Sequence, residues 1–224
     1  DTLFSALFIE ALAQKTEESL LEAVRAGELL ISDAFPWTGT TYYLPKPYIP
    51  SELATMQDKH ENMSSVKKKA FKKLHYIPEE SIASFFNGTL DATKTRERLQ
   101  NDMGTEQVVT KVNLSRDQRD EAEPYNVGGF RFNENAGLYF FVRGSYDLKP
   151  LIETLQYSGL GGKRSTGYGR FEFEIIERGM VKDHAIPRPF SMLLSSAMPI
   201  ESELDDELLK EAAYSLKKRS GFIQ

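Results

Sequence analysis

The sequence contains no cysteine, which removes disulfides, thiolate nucleophiles and cysteine-ligated zinc from consideration and suits a reducing cytosol. No apolar run approaches the ~20 residues needed to span a bilayer. The chain opens Asp1-Thr-Leu-Phe with no initiator Met and no basic n-region, so no signal peptide is expected within these residues. The three histidines, His60, His75 and His184, are far apart and show no metal-ligand spacing. A basic excess is also missing. Lys and Arg number 28 against 33 Asp and Glu, a formal net charge of −5, which argues against bulk electrostatic attraction to nucleic acid. Screening limits each charge to about 8 Å at physiological salt, so a local basic cluster still counts.

What is present is the composition of an ordinary globular chain: 224 residues, 40% hydrophobic and 27% charged, enough for one large domain or two small ones. Residues 2–13 repeat apolar side chains at i, i+4 (Leu3 with Leu7, Phe4 with Phe8) and predict a helix capped by Asp1. It is apolar almost all round, so burial is expected. A second helical stretch at 17–26 carries Leu20, Leu21 and Val24 on one side and stops at Gly27. Residues 28–32 read as a short buried strand. Pro45, Pro47 and Pro50 make the stretch from Phe35 onward an extended edge or loop rather than a central strand.

Over residues 51–124 large apolar side chains become sparse and charge dominates, the mark of a long insertion. Helical pieces are expected near 67–74 and 79–86, and a strand at 108–114. That strand puts Val108, Thr110, Val112 and Leu114 on one face, and Val109, Lys111 and Asn113, with Ser115 beyond, on the other. Strand formers return at 125–132 and 138–143. A helix at 148–157 aligns Leu148, Leu151, Ile152 and Leu155, with Asp147 as its cap and Pro150 in the first turn. Residues 170–176 alternate Phe171, Phe173 and Ile175 with Glu172 and Glu174, a strand of period two. Residues 191–196 read as a further strand. Residues 202–218 read as an amphipathic helix, acidic at its start and ending toward Lys217-Lys-Arg219, the favourable order for the helix dipole.

This order predicts an α+β fold: a ferredoxin-like (RRM-like) antiparallel sheet with helices over residues 1–178, interrupted by the insertion at about 51–124. A partial second ferredoxin-like unit is expected over 179–224. The helical pattern at Asp1 and the strand-like Gly221-Phe-Ile-Gln224 carry the expectation of further strands beyond both ends.

The most informative segment is Gly159-Leu-Gly-Gly-Lys-Arg-Ser-Thr-Gly-Tyr-Gly169, with five glycines in eleven residues. Glycine allows positive φ and close backbone approach, and successive amides form a nest for an anion such as phosphate. Lys163, Arg164 and Arg170 supply charge, Ser165 and Thr166 hydroxyls, and Tyr168 a ring for base stacking. A Walker A loop is excluded, because Lys163 is followed by Arg164 and the run leads into a strand. A dinucleotide fingerprint is excluded because the strand–loop–helix order is reversed. The plainer alternative is a flexible turn with two incidental cations.

Leu155 through Arg170 resembles the glycine-rich loop of the RAMP (repeat-associated mysterious protein) superfamily, and more narrowly the Csm-type subunit that caps the 5′ handle of the CRISPR RNA in type III-A complexes. Asp1-Thr-Leu-Phe-Ser-Ala-Leu7, Tyr43-Leu-Pro-Lys-Pro47, Lys69-Ala-Phe-Lys-Lys-Leu-His-Tyr-Ile-Pro78, Glu123-Pro-Tyr-Asn-Val-Gly128 and Lys218-Arg-Ser-Gly-Phe222 are similar too.

The resemblance implies a non-catalytic binding subunit in the cytoplasm, without cofactor or metal. Its partners would be the crRNA 5′ handle, the large polymerase-like subunit and the backbone RAMP subunits. Gly159, Gly161, Gly162, Gly167 and Gly169 would let the backbone approach the handle. Lys163 and Arg164 would pair with phosphates, and Ser165 or Tyr168 would touch sugar or base. Lys111, with Asn113, would sit on a thumb-like projection that pushes between guide bases, with Tyr125 at its return, and Lys46 would add a further RNA contact. Tyr125 reads equally as a core or edge aromatic. Glu172 and Glu174 would face outward and repel phosphate, so binding is expected at the loop rather than by stacking on the sheet.

Three other readings stay open. The run Lys67-Lys-Lys-Ala-Phe-Lys-Lys73 either grips RNA or, the favoured reading, is a solvated helix face. A repeat-RNA-processing endoribonuclease of the same superfamily would need a histidine acid or base, and none lies between residues 76 and 183. A protein-only scaffold with a decorative loop is the third.

Overall fold

The computed structural model describes residues 2–48, 65–113, 123–177, 191–204, 210 and 212–217. In chain order the helices are α1 (Thr2–Gln14), α2 (Glu17–Arg25), α3 (Ser65–Lys73), α4 (Ile82–Phe86), α5 (Ala92–Met103) and α6 (Lys149–Ser158). The strands are β1 (Leu29–Ile31), β2 (Phe35–Thr38), β3 (Thr41–Pro45), β4 (Tyr76–Pro78), β5 (Gly104–Asn113), β6 (Glu123–Phe132), β7 (Ala136–Tyr139) and β8 (Val142–Gly144). The fold class is α+β, with antiparallel pairing throughout. The chain forms two compact units. One holds Asp1–Ala34, Pro47–Met56 and Phe140–Gln224, the other Phe35–Lys46 and Gln57–Tyr139. The described part of the stretch expected as an insertion, 65–113 and 123–124, therefore groups with Phe35–Lys46 and with the residues up to Tyr139.

The first unit is a helical layer on a short strand pair. α1 packs on α2 and on α6. The expected apolar stripe of α6 holds, with Leu148, Leu151, Ile152 and Leu155 all buried beside Leu7, Ala11, Leu20 and Leu29. Full burial of each leucine is worth about 1.5–3 kcal/mol. β1 pairs with β8, Leu29 opposite Gly144 and Ile31 opposite Val142. The expected cap of α6 is displaced by one residue: Leu148 occupies the cap position, while the Asp147 carboxylate accepts from Lys149 N–H at 3.0 Å.

Four expectations in this unit are corrected. Helix α1 is not buried all round, since Ile9 and Leu12 are each 48% exposed. Glu10 is instead the buried polar member, held by the Ser158 hydroxyl, which donates to it at 2.5 Å. Residues 170–176 form no strand. Phe171 and Phe173 pack on the core and Glu172 and Glu174 face solvent, so the alternation survives in packing as far as Glu174, while Ile175, expected on the same face as the phenylalanines, is 58% exposed. The segment's backbone bond, Phe171 N–H to Gln156 C=O at 3.4 Å, goes to a helix end rather than a ladder. Residues 191–196 are likewise irregular, touching the unit through Asp33 N–H to Leu194 C=O at 2.8 Å. The helix expected over 202–218 does not extend over 212–217, which are irregular; of the rest, Glu201–Glu203 is a 3₁₀ turn and Lys210 is helical. Residues 205–209, 211 and 218–224 lie outside the described residues.

The second unit contains a four-stranded sheet in the order β4-β3-β2-β7. The proline-bearing stretch was expected at an edge, yet β2 and β3 are its two interior strands. Their prolines sit where a missing N–H costs little. The β2–β3 pairing stops at Trp37 opposite Tyr42, one residue before Pro36, and Pro45 is the last residue of β3. Tyr139 locks the sheet: its ring meets Phe35 and Tyr42 edge-on, and its hydroxyl donates to Tyr43 C=O at 2.8 Å. The strand expected at 138–143 is two strands, with β7 joining this sheet and β8 the other unit.

The sequence reading also missed α5. Asp91 caps it, its carboxylate accepting from Thr93 and Lys94 N–H at 3.1 Å each. Arg98 then donates to Thr41 Oγ1 at 3.1 Å. Good helix formers without an apolar stripe carry this helix. Gly104 ends α5 and opens the ten-pair ribbon β5–β6.

Candidate nucleic-acid interface

The glycine-rich segment is an exposed loop mounted on the buried helix α6. Its neck is closed by backbone. Gly159 N–H donates to Leu155 C=O at 2.7 Å and Leu160 N–H donates to Gly169 C=O at 2.8 Å. At this neck the chain passes too close to itself for a side chain. A Cβ on Gly159 would stand 2.9 Å from the Tyr168 carbonyl oxygen, and one on Gly169 would run into Leu160 backbone. Both residues also have positive φ. These two glycines build the loop.

The tip differs. Arg164–Thr166 is a 3₁₀ turn flanked by left-handed residues, Lys163 at φ 59° and Gly167 at φ 87°. It is held by Thr166 N–H to Lys163 C=O and Gly167 N–H to Arg164 C=O, both 3.0 Å. A Cβ on Gly161, Gly162 or Gly167 would meet nothing within 4 Å. Among the described residues, no backbone carbonyl accepts from the N–H groups of Gly161 and Gly162. The loop thus presents open backbone amides at Gly161 and Gly162, next to the cations Lys163 and Arg164, an arrangement suited to a phosphate. Arg164 also reaches back to Gly159 C=O at 3.5 Å. Ser165 is exposed and Tyr168 half-buried.

The other expected contacts belong to the second unit. Lys111 and Tyr125 are register partners on the β5–β6 ribbon, which brings those two together. Lys46 lies at the end of the four-stranded sheet, where its ammonium donates to Phe71 C=O at 2.9 Å and fastens the end of α3. In α3, Lys68, Lys69, Lys72 and Lys73 are exposed while Phe71 turns to Phe85, the solvated-face arrangement. Of the histidines, His75 is exposed, and His60 and His184 lie outside the described residues. No cluster of metal-ligating side chains occurs among the described residues. No described helix is long and apolar enough to cross a membrane.

No family model matches the chain. Individual relatives do. It is 34% identical to the CRISPR system Cms protein Csm4 of Mycobacterium tuberculosis, over 100% of this chain and 71% of that one. It is 31% identical to the Csm4 of Streptococcus thermophilus, over 99% of this chain and 71% of that one. In fold it resembles the crystal structure of the Csm3-Csm4 subcomplex in the type III-A CRISPR-Cas interference complex, with a TM-score of 0.54 and 16% identity, over 90% of this chain and 73% of that one. The architecture is therefore that of the RAMP-like CRISPR proteins. Within that class, the chain belongs to the Csm4 family.

Proposed function

We propose that this chain is the crRNA-binding subunit of a type III-A (Csm) interference complex and that its glycine-rich loop holds the 5′ handle of the guide. The observation that carries the reading is the tip of that loop. Gly161 and Gly162 leave the backbone open beside Lys163 and Arg164, while a rigid neck on α6 holds the tip in place. An RNA phosphate needs both features, accessible amides and fixed cations. Ser165 and Tyr168 flank the tip as sugar or base contacts, and Lys111, Tyr125 and Lys46 add contacts from the second unit. The role is one of binding, without catalysis, in the cytoplasm. The partners are a Csm1-like large subunit and Csm3-like backbone subunits.

The same reading assigns a ferredoxin-like arrangement to the first unit. Its order of helix, strand, strand, helix and extended segment (α1 and α2, β1, β8, α6, 170–177) is that of such a unit from its first helix onward. The second unit is then an insertion between the paired strands β1 and β8, and the residues after 178 begin a second unit of the same type.

The decisive experiment measures binding of handle-containing RNA across a salt series. Lys163→Ala with Arg164→Ala should weaken binding about tenfold and reduce the salt slope by about 2, one for each lost phosphate contact. Unchanged affinity and slope would remove the loop from the interface. Metal-free incubation with precursor RNA should give no specific cleavage; cleavage lost on His75→Ala would replace the binding role with an endoribonuclease.

A further inference from the structure

The β5–β6 ribbon has two faces of mixed character. Register partners share a face, so Val108, Val112, Phe130 and Phe132 lie on one side with Glu106, Thr110 and Asn126, and Thr105, Gln107, Lys111, Tyr125 and Arg131 on the other with Val109 and Val127. At the root of the ribbon, where β6 turns toward β7, there is a shallow, open depression of about 290 Å³ whose lining residues are all exposed. Ligand pockets begin at about 300 Å³, so this one suits a single heterocycle rather than a run of nucleotides. Its walls are Thr105 and Gln107 from β5, Arg131 and Phe132 from the end of β6, and Asn133 and Glu134 from the turn.

The turn is held firmly. The Asn133 side-chain amide donates to Asn101 C=O at 3.2 Å and Asp102 C=O at 2.8 Å, at the end of α5. Its backbone N–H donates to Met103 C=O, and its carbonyl accepts from Ala136 N–H, both at 3.1 Å. The polar side chains around it are in the opposite condition. Among the described residues, neither Arg131 nor Glu134 is in an ion pair, and Gln107 has no side-chain hydrogen bond. A cation, an amide and a carboxylate therefore stand uncommitted around one small depression on a fixed turn.

This donor and acceptor set has a natural complement. Guanine carries adjacent N1–H and N2–H₂ donors on one edge and the O6 and N7 acceptors on another. A carboxylate accepts from the first pair, and a guanidinium donates bidentately to the second. Adenine and uracil offer a carboxylate no adjacent pair of ring and exocyclic donors, and cytosine offers only its amino group. Single-stranded RNA is commonly read in this way, through bases splayed out of the stack.

We propose that the depression at the root of the ribbon is a pocket for one unstacked guanine of single-stranded RNA, with Glu134 accepting from N1–H and N2–H₂ and Arg131 donating to O6 and N7. Thr105 and Gln107 are left to meet the sugar. The proposal rests on the reading that the chain binds RNA, but not on the glycine loop.

The test compares uridine oligonucleotides carrying one central guanosine or one central adenosine, using the full chain. The guanosine strand should bind about tenfold more tightly, the discrimination of one good paired contact. Glu134→Gln and Arg131→Ala should each abolish that ratio. Lys163→Ala with Arg164→Ala should weaken all strands alike and keep the ratio, which separates the pocket from the loop. Equal affinity for the two strands, or a ratio unmoved by Glu134→Gln, would overturn the proposal. Should no oligonucleotide bind, guanosine 5′-monophosphate is titrated while amide chemical shifts are followed. Shifts confined to residues 104–107 and 131–134, and absent with adenosine 5′-monophosphate, would uphold the guanine pocket while the RNA reading fell. No shifts would end both.

Discussion

The glycine-rich loop and the β5–β6 ribbon are both exposed, but they are built in opposite ways. The loop has almost no regular structure, a neck closed by backbone, and a buried helix beneath it. What it offers outward is main chain. The ribbon is regular over ten register pairs and offers side chains on two faces, Val108 at 71% exposure among them. A loop of the first kind suits what every nucleotide has, its phosphate. A ribbon of the second kind can tell one base from another, because side chains carry patterned donors and acceptors.

The comparison can be broken most severely beneath the loop. Leu155, 1% exposed in the core under the neck, should cost about 3 kcal/mol on Leu155→Ala, measured by urea unfolding, and RNA affinity should fall with it. Asp91→Ala removes the cap of α5, the helix that feeds the ribbon, and should cost about 1 kcal/mol in the same assay. Gly162→Ala sharpens the contrast. The residue has open space around it and no positive φ, so stability should stay within about 0.5 kcal/mol. Handle binding should nevertheless weaken severalfold, because only a closely approaching ligand feels the new methyl group. Retained affinity would show that RNA stays clear of this backbone. The smallest effect belongs to the ribbon: Val108→Thr, at an exposed strand position, should change stability by less than about 0.5 kcal/mol. A large loss would mean that the face carrying Val108 is covered, and the ribbon would then resemble the core rather than the loop.

Legibility in the sequence followed the strength of the local signal. The α6 stripe of Leu148, Leu151, Ile152 and Leu155 was plain, because period and burial coincide there. Helix α5 was missed because Ala92–Met103 is carried by polar helix formers and a cap, with Ala92 its buried residue, so a search for apolar periodicity passes over it. The interior position of β2 and β3 was missed because proline was taken to exclude it. Where each proline falls against the ladder decides the matter, and register is a property of two strands. Residues 170–176 erred the other way, since alternation fits any extended segment with one face on a core, while a strand also needs a neighbour. At the site, the residues of the loop were all legible, but their division of labour was not. Gly159 and Gly169 differ from Gly161 and Gly162 only in what stands nearby. The pocket residues Arg131 and Glu134 carried no motif and were missed. An Arg and a Glu flanking a Phe-Asn turn would have been the available signal.

The sequence by itself determined the helix-forming stripes, the glycine-rich loop with its cations, the acidic outward side of 170–176 and the resemblance that the relatives bear out. These depend on residue type and near spacing, which are local. Only the tertiary structure decided that the chain divides into two units, that proline-bearing strands lie inside a sheet, that Glu10 is buried against Ser158, and that Gln107, Arg131 and Glu134 surround one depression. Each of these joins residues far apart along the chain, and such pairings follow from packing and register rather than from the preferences of any short segment.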